Sequence, residues 1–468
     1  MTRIERSYLA VCGHFSQPQR GHPLTGEINV EPDAAPYHDW NERVTDRSIR
    51  PNAESGNFEK ITFSFSPILL AWLRANARSG YDTIVASDKY TAETGGHALA
   101  TAYHHSILPL ARRRDKRTQI LWGMTAFEHH FGRKPLGFWL PEMAVDTETL
   151  ALLVECGIRY TVLARKQIHG DLLEGAGPYR VALPNDQSIA VFVRDDGLSS
   201  EISFNIHNLG GAGSWSRQAL GPARRFAGPL LLLATAGETF GHHYAGEEQF
   251  LYWLVNYEAQ SAGYQMIALD EYFLTHPPVR AVQIEERSSW SDQQGLGNWA
   301  TGKVEGHIDT TWKGGLRRAL DNVHSEIDRA YEDTLHPHGL DAWAVRDQYA
   351  HVLLGNMTFE EFCDGYAPGL SAAEREHLQA LLSAEELAQR MYASYTFTDN
   401  RLDSRHPRYA IACAAAALAL AQSKTSRDLS ERLLPDLAVV TSPATPLSGA
   451  DILRSVVEEL ALELRLPQ

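Results

Sequence analysis

Short apolar runs alternate with stretches of helical hydrophobic spacing through the first part of the chain. Residues 7–12 read as a buried strand that delivers Gly13-His14-Phe15-Ser16-Gln17 and stops at Pro18. A polar stretch over 21–57 follows, dense in aromatic and charged residues around Pro36-Tyr37-His38-Asp39-Trp40. Loops of that length are often functional or lid-like. Pro67 opens a helix with Ile68, Leu69, Trp72 and Leu73 on one face. Residues 82–87 read as a second strand, leading through Gly95-Gly96-His97 to a helix over 103–109, and a further helix spans 118–131. The run 136–140 ends at Pro141. Leu150, Leu153 and Val154 then recur at helical spacing behind an N-cap at Asp146 or Thr147. Strands are expected over 159–163 and 188–193, the latter followed by Arg194-Asp195-Asp196-Gly197. Residues 229–234 form a Leu/Ala run of the kind buried on both faces, ending in Thr235-Ala236-Gly237-Glu238-Thr239-Phe240-Gly241-His242-His243. A helix over 247–260 and a strand near 265–269 complete the series.

Strand and helix alternate roughly seven times over about 270 residues, the rhythm of an α/β fold built as a parallel β/α barrel. An open doubly wound sheet is the alternative, but no GxGxxG follows the first strand and no P-loop is present. Beyond residue 310 the pattern turns helical: 312–335, 341–354, 372–392, 408–422 and 449–464, with a possible strand at 437–440. The expectation is a barrel domain over 1–310 and a C-terminal helical region over 311–468, with a mobile connection at 441–446.

Composition narrows the function. The chain has 468 residues, 44% of them hydrophobic, enough for a large core. Its net charge of -15 argues against a phosphate-backbone partner. The run Arg112-Arg113-Arg114 reads as a solvated helix end. Cys12, Cys156, Cys363 and Cys413 are far apart, which fits reduced thiols in a cytoplasmic protein. The N-terminus lacks a signal peptide's apolar segment, and the Ala-rich run 409–421 is too short to span a bilayer. No nucleic-acid or membrane partner is expected.

Polar residues gather at the expected strand ends: His14, His97, Glu142, Arg194, Asp195, Glu238, His242 and His243. In a barrel these ends converge on one mouth. An acid-base mechanism needs two carboxyls facing each other across a scissile bond; Glu142 and Glu238 are the visible candidates. Trp139, beside Glu142, offers an apolar wall or a sugar-stacking face. The pairs 104/105, 129/130 and 242/243 invite a metal reading, but neighbouring helical residues point about 100° apart. No HExxH or Asp-rich pattern supports an ion, and no metal or cofactor is expected.

The ordered segments His14-Phe15-Ser16-Gln17-Pro18, Gly137-Phe138-Trp139-Leu140-Pro141-Glu142 and Gly237-Glu238-Thr239-Phe240-Gly241-His242-His243 resemble glycoside hydrolase family 57. A bacterial subgroup of that family is matched more closely, through residues 36–43, Gly96-His97, 105–110 and Ser288-Ser289-Trp290-Ser291. The resemblance implies a seven-stranded (β/α) barrel with a C-terminal helical bundle. It implies retaining chemistry on α-glucan-type linkages without a metal, with Glu142 as nucleophile. The family's general acid/base is an Asp immediately before Gly-Glu; here that position is Ala236. Either an engineered exchange that leaves an inactive mutant or a natural non-catalytic relative accounts for it. The intact surrounding motifs favour the exchange. His97 stands where characterised α-glucan enzymes of the family carry Glu, which leaves the substrate open. Trp139, Trp290, Trp299 and Tyr37 are candidate sugar platforms, with core packing the alternative for each Trp. His14, His97, Arg194, Asp195, Glu238 and His242 are candidate hydroxyl binders. The competing readings are a metal-dependent deacetylase-like hydrolase and a carbohydrate-binding protein without catalysis.

Overall fold

The computed structural model describes residues 7–292, 295–422, 428, 431–462 and 464. The expected absence of an apolar segment at residues 1–6 lies outside them. Seven strands run parallel in one curled sheet: β1 (Ser7–Phe15), β2 (Thr62–Phe65), β3 (Ala98–Thr101), β4 (Gly137–Trp139), β5 (Tyr160–Ala164), β6 (Ser188–Arg194) and β7 (Leu230–Ala236). Strand β1 lies between β7 and β2, and the order then follows the chain to β6. The ends of the curl meet where the Asp195 N–H donates to the Leu232 carbonyl at 2.8 Å. This is the α/β barrel that the rhythm predicted. All of β7 but its last residue is buried, because its inner face meets the barrel core and its outer face is covered. Strand β4 needs Gly137: a side chain there would meet the Tyr160 ring at 2.4 Å.

Several local expectations give way to tertiary structure. Residues 82–87 lie inside the helix Arg78–Tyr90, which buries Tyr81, Ile84 and Asp88 along one face. The true second and third strands, β2 and β3, have 4 residues each, too few to declare a period. The helix expected over 103–109 is a turn followed by the 3₁₀ turn Leu108–Leu110. The strand near 265–269 shortens to Tyr264–Met266, parallel to the start of β1, and gives way to the helix Leu269–Thr275. Residues 437–440 fall at the end of the helix Leu433–Ala438. Within 21–57, the chain is helical from Trp40 to Glu54.

Two compact units interleave along the chain, where the sequence reading places one boundary near 310. Of the described residues, the barrel unit holds 7–17, 29–103 and 126–291, and the helical unit holds 18–28, 104–125 and those from 292 on. In the helical unit, Trp312–Leu335, Ala372–Arg390 and Arg405–Gln422 pack together, with Ala414 to Ala417 fully buried. Its interior holds a charge network. Arg346, fully buried, donates to Asp115 at 2.7 Å and to Glu385 at 2.8 Å. Arg112 and Arg114 both pair with Asp328, and Arg114 lies 3.8 Å over the Trp343 ring. The Arg112–Arg114 run is therefore not a merely solvated end: a buried carboxylate recruits two of its members. Cys12, Cys156, Cys363 and Cys413 form no disulfide. Among the described residues no helix is long and apolar enough to cross a membrane.

Candidate active site

The carboxyl ends of β1, β4, β6 and β7 supply the site. His14 and Ala236 are register partners on adjacent parallel strands, so their side chains leave the sheet on the same face. The His14 ring stacks on Trp139 at 5.0 Å and 12°. Trp139 in turn meets Trp290 edge to face at 5.5 Å. Trp290 Nε1 donates to Glu142 Oε2 at 2.8 Å, and Ser291 Oγ donates to the same oxygen at 2.9 Å. Arg194 lies 4.9 Å over the Trp290 ring and donates to the Ala234 carbonyl at 2.9 Å. His14, Trp139, Glu142, Arg194, Trp290 and Ala236 thus form one connected layer at the barrel mouth.

The chain reaches this layer at a cost. Pro141 ends the β4 extension, and the next two residues, Glu142 and Met143, sit in left-handed backbone at φ 56° and 47°. Such conformations cost non-glycine residues on the order of 1–3 kcal/mol and concentrate at functional sites. Three contacts hold the turn. Met143 N–H donates to the Leu140 carbonyl, Gln167 Nε2 donates to the Met143 carbonyl at 2.8 Å, and Val145 N–H donates to the Ser288 carbonyl at 3.0 Å. The last contact anchors the 288–291 segment that delivers Trp290. Asp146 caps the following helix by accepting from Thr149 N–H, as the N-cap pattern predicted.

Burial pushes the Glu142 carboxyl above its ordinary range, while the Trp290 and Ser291 donors pull it back. Glu238 is more extreme. Burial lifts its carboxyl to about 7, although it accepts from Ser16 N–H at 2.9 Å and from Gln17 Nε2 at 3.4 Å. His242 follows, its N–H donating to the Glu238 carbonyl at 3.0 Å and its ring meeting Trp40 edge-on at 5.8 Å.

One expectation needs correction, that for His97, and the structure gives Trp299, Trp139, Asp195 and Tyr37 the settings that follow. His97 lies before β3, at the amino end of the barrel, with Nδ1 2.8 Å from the Ile61 carbonyl. Misplacing the second strand put it at the wrong end. Trp299 belongs to the helical unit and is 2% exposed, so its ring offers no open platform. Trp139 is fully buried and serves as the wall behind His14. Asp195 caps the helix Asp196–Asn205 by accepting from Leu198 N–H at 2.9 Å. Tyr37 donates its hydroxyl to Asp46 at 2.7 Å. The sequence reading also missed Ser291, Gln167 and Trp40. The first belongs to the Ser288–Ser291 motif and Trp40 to the 36–43 segment; only the fold reveals Gln167.

The His242 and His243 rings lie 5.2 Å apart. Among the described residues, one group has donor atoms close enough for a metal ion: His324, Asp328 and Glu385, within 4.8 Å of one another. It lies in the helical unit, and both carboxylates there already face arginines.

The family model described as Glycosyl hydrolase family 57 matches residues 27–285, and one described as a Domain of unknown function (DUF3536) matches 309–465. Alpha-amylase 1 of Dictyoglomus thermophilum is 30% identical over 104 residues, 22% of this chain and 15% of that protein. A 1,4-alpha-glucan branching enzyme of Thermococcus kodakarensis is 47% identical over 47 residues, 10% of this chain and 7% of that one. The chain thus spans under a sixth of the length of either curated relative. Two solved structures share the fold. An exo-type maltose-forming amylase from Pyrococcus sp. ST04 superposes with TM-score 0.71 at 15% identity, covering 97% of this chain and 88% of its own. A branching enzyme from Pyrococcus horikoshii gives 0.60 at 15% identity, covering 98% and 95%.

Proposed function

The chain belongs to glycosyl hydrolase family 57, and on that premise we propose that its barrel mouth acts on α-linked glucan chains with retention, through Glu142. The observation that carries the proposal is the setting of Glu142. Its carboxylate stands on strained backbone at a strand's carboxyl end, fixed by two donors, in the layer that also holds position 236. The amylase and branching-enzyme names of the relatives supply the substrate class.

In this reading Glu142 attacks the anomeric carbon while the bond to the leaving sugar oxygen breaks. A glycosyl ester on Glu142 results, and water or an acceptor sugar then displaces it. The leaving oxygen needs a proton. Position 236, on the same face as His14, is where a carboxylic acid would supply it; here the side chain is a methyl group. The chain as it stands therefore binds its sugar and turns it over poorly. General acid assistance is worth about 10²–10⁴-fold. Arg194 and His14 remain to orient hydroxyls beside the nucleophile. Four cysteines outside any disulfide fit an intracellular, reducing compartment.

The test is a paired assay of the parent and Ala236→Asp on α-linked oligosaccharides, with products identified by mass. A gain of at least about a hundredfold is expected. An Asp form as inert as the parent, with both forms binding sugar, would replace the enzyme reading by a binding protein.

A further inference from the structure

The helix after β7 runs through Glu248–Trp253, a π turn at Leu254–Glu258 and Ala259–Ser261. One face is core: Phe250, Leu251, Leu254, Val255 and Ala259 are buried. The opposite face carries three aromatic rings that the fold does not use. Trp253 and Tyr257 are each 49% exposed, and their rings lie 5.0 Å apart at 39°. Tyr252 adjoins both, at 5.8 and 6.2 Å. The π turn widens the winding beneath this cluster, and such turns recur at functional sites.

The polar residues between the rings are Gln249, Asn256 and Gln260, which carry no charge, and the half-buried Glu248 and Glu258 flank the patch. An exposed patch of contacting Trp and Tyr rings is unusual on a surface that only needs to be wet. These rings bury large apolar area at low entropic cost and keep a polar tip. Flat apolar faces flanked by neutral amides match a chain of pyranose rings, whose C–H faces stack and whose hydroxyls hydrogen-bond. A polyanion would find no counter-charge here, only the flanking Glu248 and Glu258.

We propose that the Tyr252, Trp253 and Tyr257 face is a docking site for a neutral α-linked glucan, separate from the barrel mouth. The ligand class rests on the function proposed above. The site holds a polymer at the surface and feeds no atom into the reaction. Its effect therefore grows with the length of the glucan and vanishes for sugars short enough to occupy the mouth alone.

The experiment is affinity electrophoresis of the full chain in gels containing a soluble branched α-glucan, beside Trp253→Ala and Tyr257→Ala. Titration calorimetry with maltotetraose reads the mouth in the same proteins and in Trp290→Ala. Each surface variant should weaken retardation by the polymer at least fivefold, with thermal melting and maltotetraose affinity unchanged. Parental retardation in both variants overturns the proposal, and so does a parent that the polymer does not retard. In that second case maltotetraose heat lost in Trp290→Ala keeps the mouth reading alive, and absent heat removes both. A parent that is dimeric in solution, becomes monomeric with Trp253→Ala and keeps its retardation assigns the face to a second copy and overturns the glucan site.

Discussion

Trp290 Nε1 donates to Glu142 Oε2 at 2.8 Å across 148 residues of sequence. The indole thereby holds a half-buried carboxylate in the form a nucleophile requires. In the Ala236→Asp background, Trp290→Phe keeps a ring and removes the donor. A hydrogen bond to a charged group contributes about 1.5–3 kcal/mol, so kcat/KM should fall roughly ten- to a hundredfold. The sign of the pH effect follows from the same bond. Losing the donor disfavours the carboxylate and raises the Glu142 pKa, so the acid limb of the kcat/KM profile should move to higher pH. A limb that stays in place would show that Trp290 does not act through Glu142.

Glu142→Gln in that same background should abolish turnover while leaving the fold intact. The amide retains the shape and loses the nucleophile, and the expected loss is several powers of ten. Activity within about tenfold of its parent would remove Glu142 from the mechanism.

Glu238 predicts a pH-dependent stability. Its carboxyl is raised from 4.5 to about 7 by burial. The folded state therefore binds the proton more tightly than the unfolded chain does. The stabilisation from this group is complete below about 4.5 and is lost as the pH rises through 7. Glu238→Gln has no such proton to lose. The stability of the variant relative to the parent should climb between pH 5 and 8, by on the order of 3 kcal/mol. Denaturant titrations of both forms across that range check this; a constant difference refutes it.

The helical unit should be sensitive at Arg346. Asp115 and Glu385 both depend on its guanidinium, and all three side chains are buried. Arg346→Met leaves two carboxylates without their partner, and breaking a buried pair in this way costs about 3–5 kcal/mol. Combining it with Glu385→Leu should recover part of the loss, read by urea unfolding. A single variant as stable as the parent would mean that the network relaxes onto other cations.

Local patterns determined much of this protein. The stop at Pro141, the Asp146 cap, the Leu/Ala run of β7 and the helix Trp312–Leu335 could each be read without a fold, because propensity, capping and helical period act over a few residues. The motif around Glu142 and the alanine at 236 were legible for the same reason. Tertiary structure decided the rest. Strands β2 and β3 are 4 residues long, so their identity came from pairing with neighbours, and with it the exile of His97 to the opposite end of the barrel. Whether a tryptophan is wall or donor also depended on register. Trp139, Trp290 and Trp299 look alike in sequence, yet only Trp290 reaches the Glu142 carboxylate. The Arg112–Arg114 run resembled a solvated end until Asp328, 216 and 214 residues away from its two partners, was brought beneath it. Sequence period reports which face a residue occupies; what that face meets is set by chain segments hundreds of residues distant, through sheet register and packing.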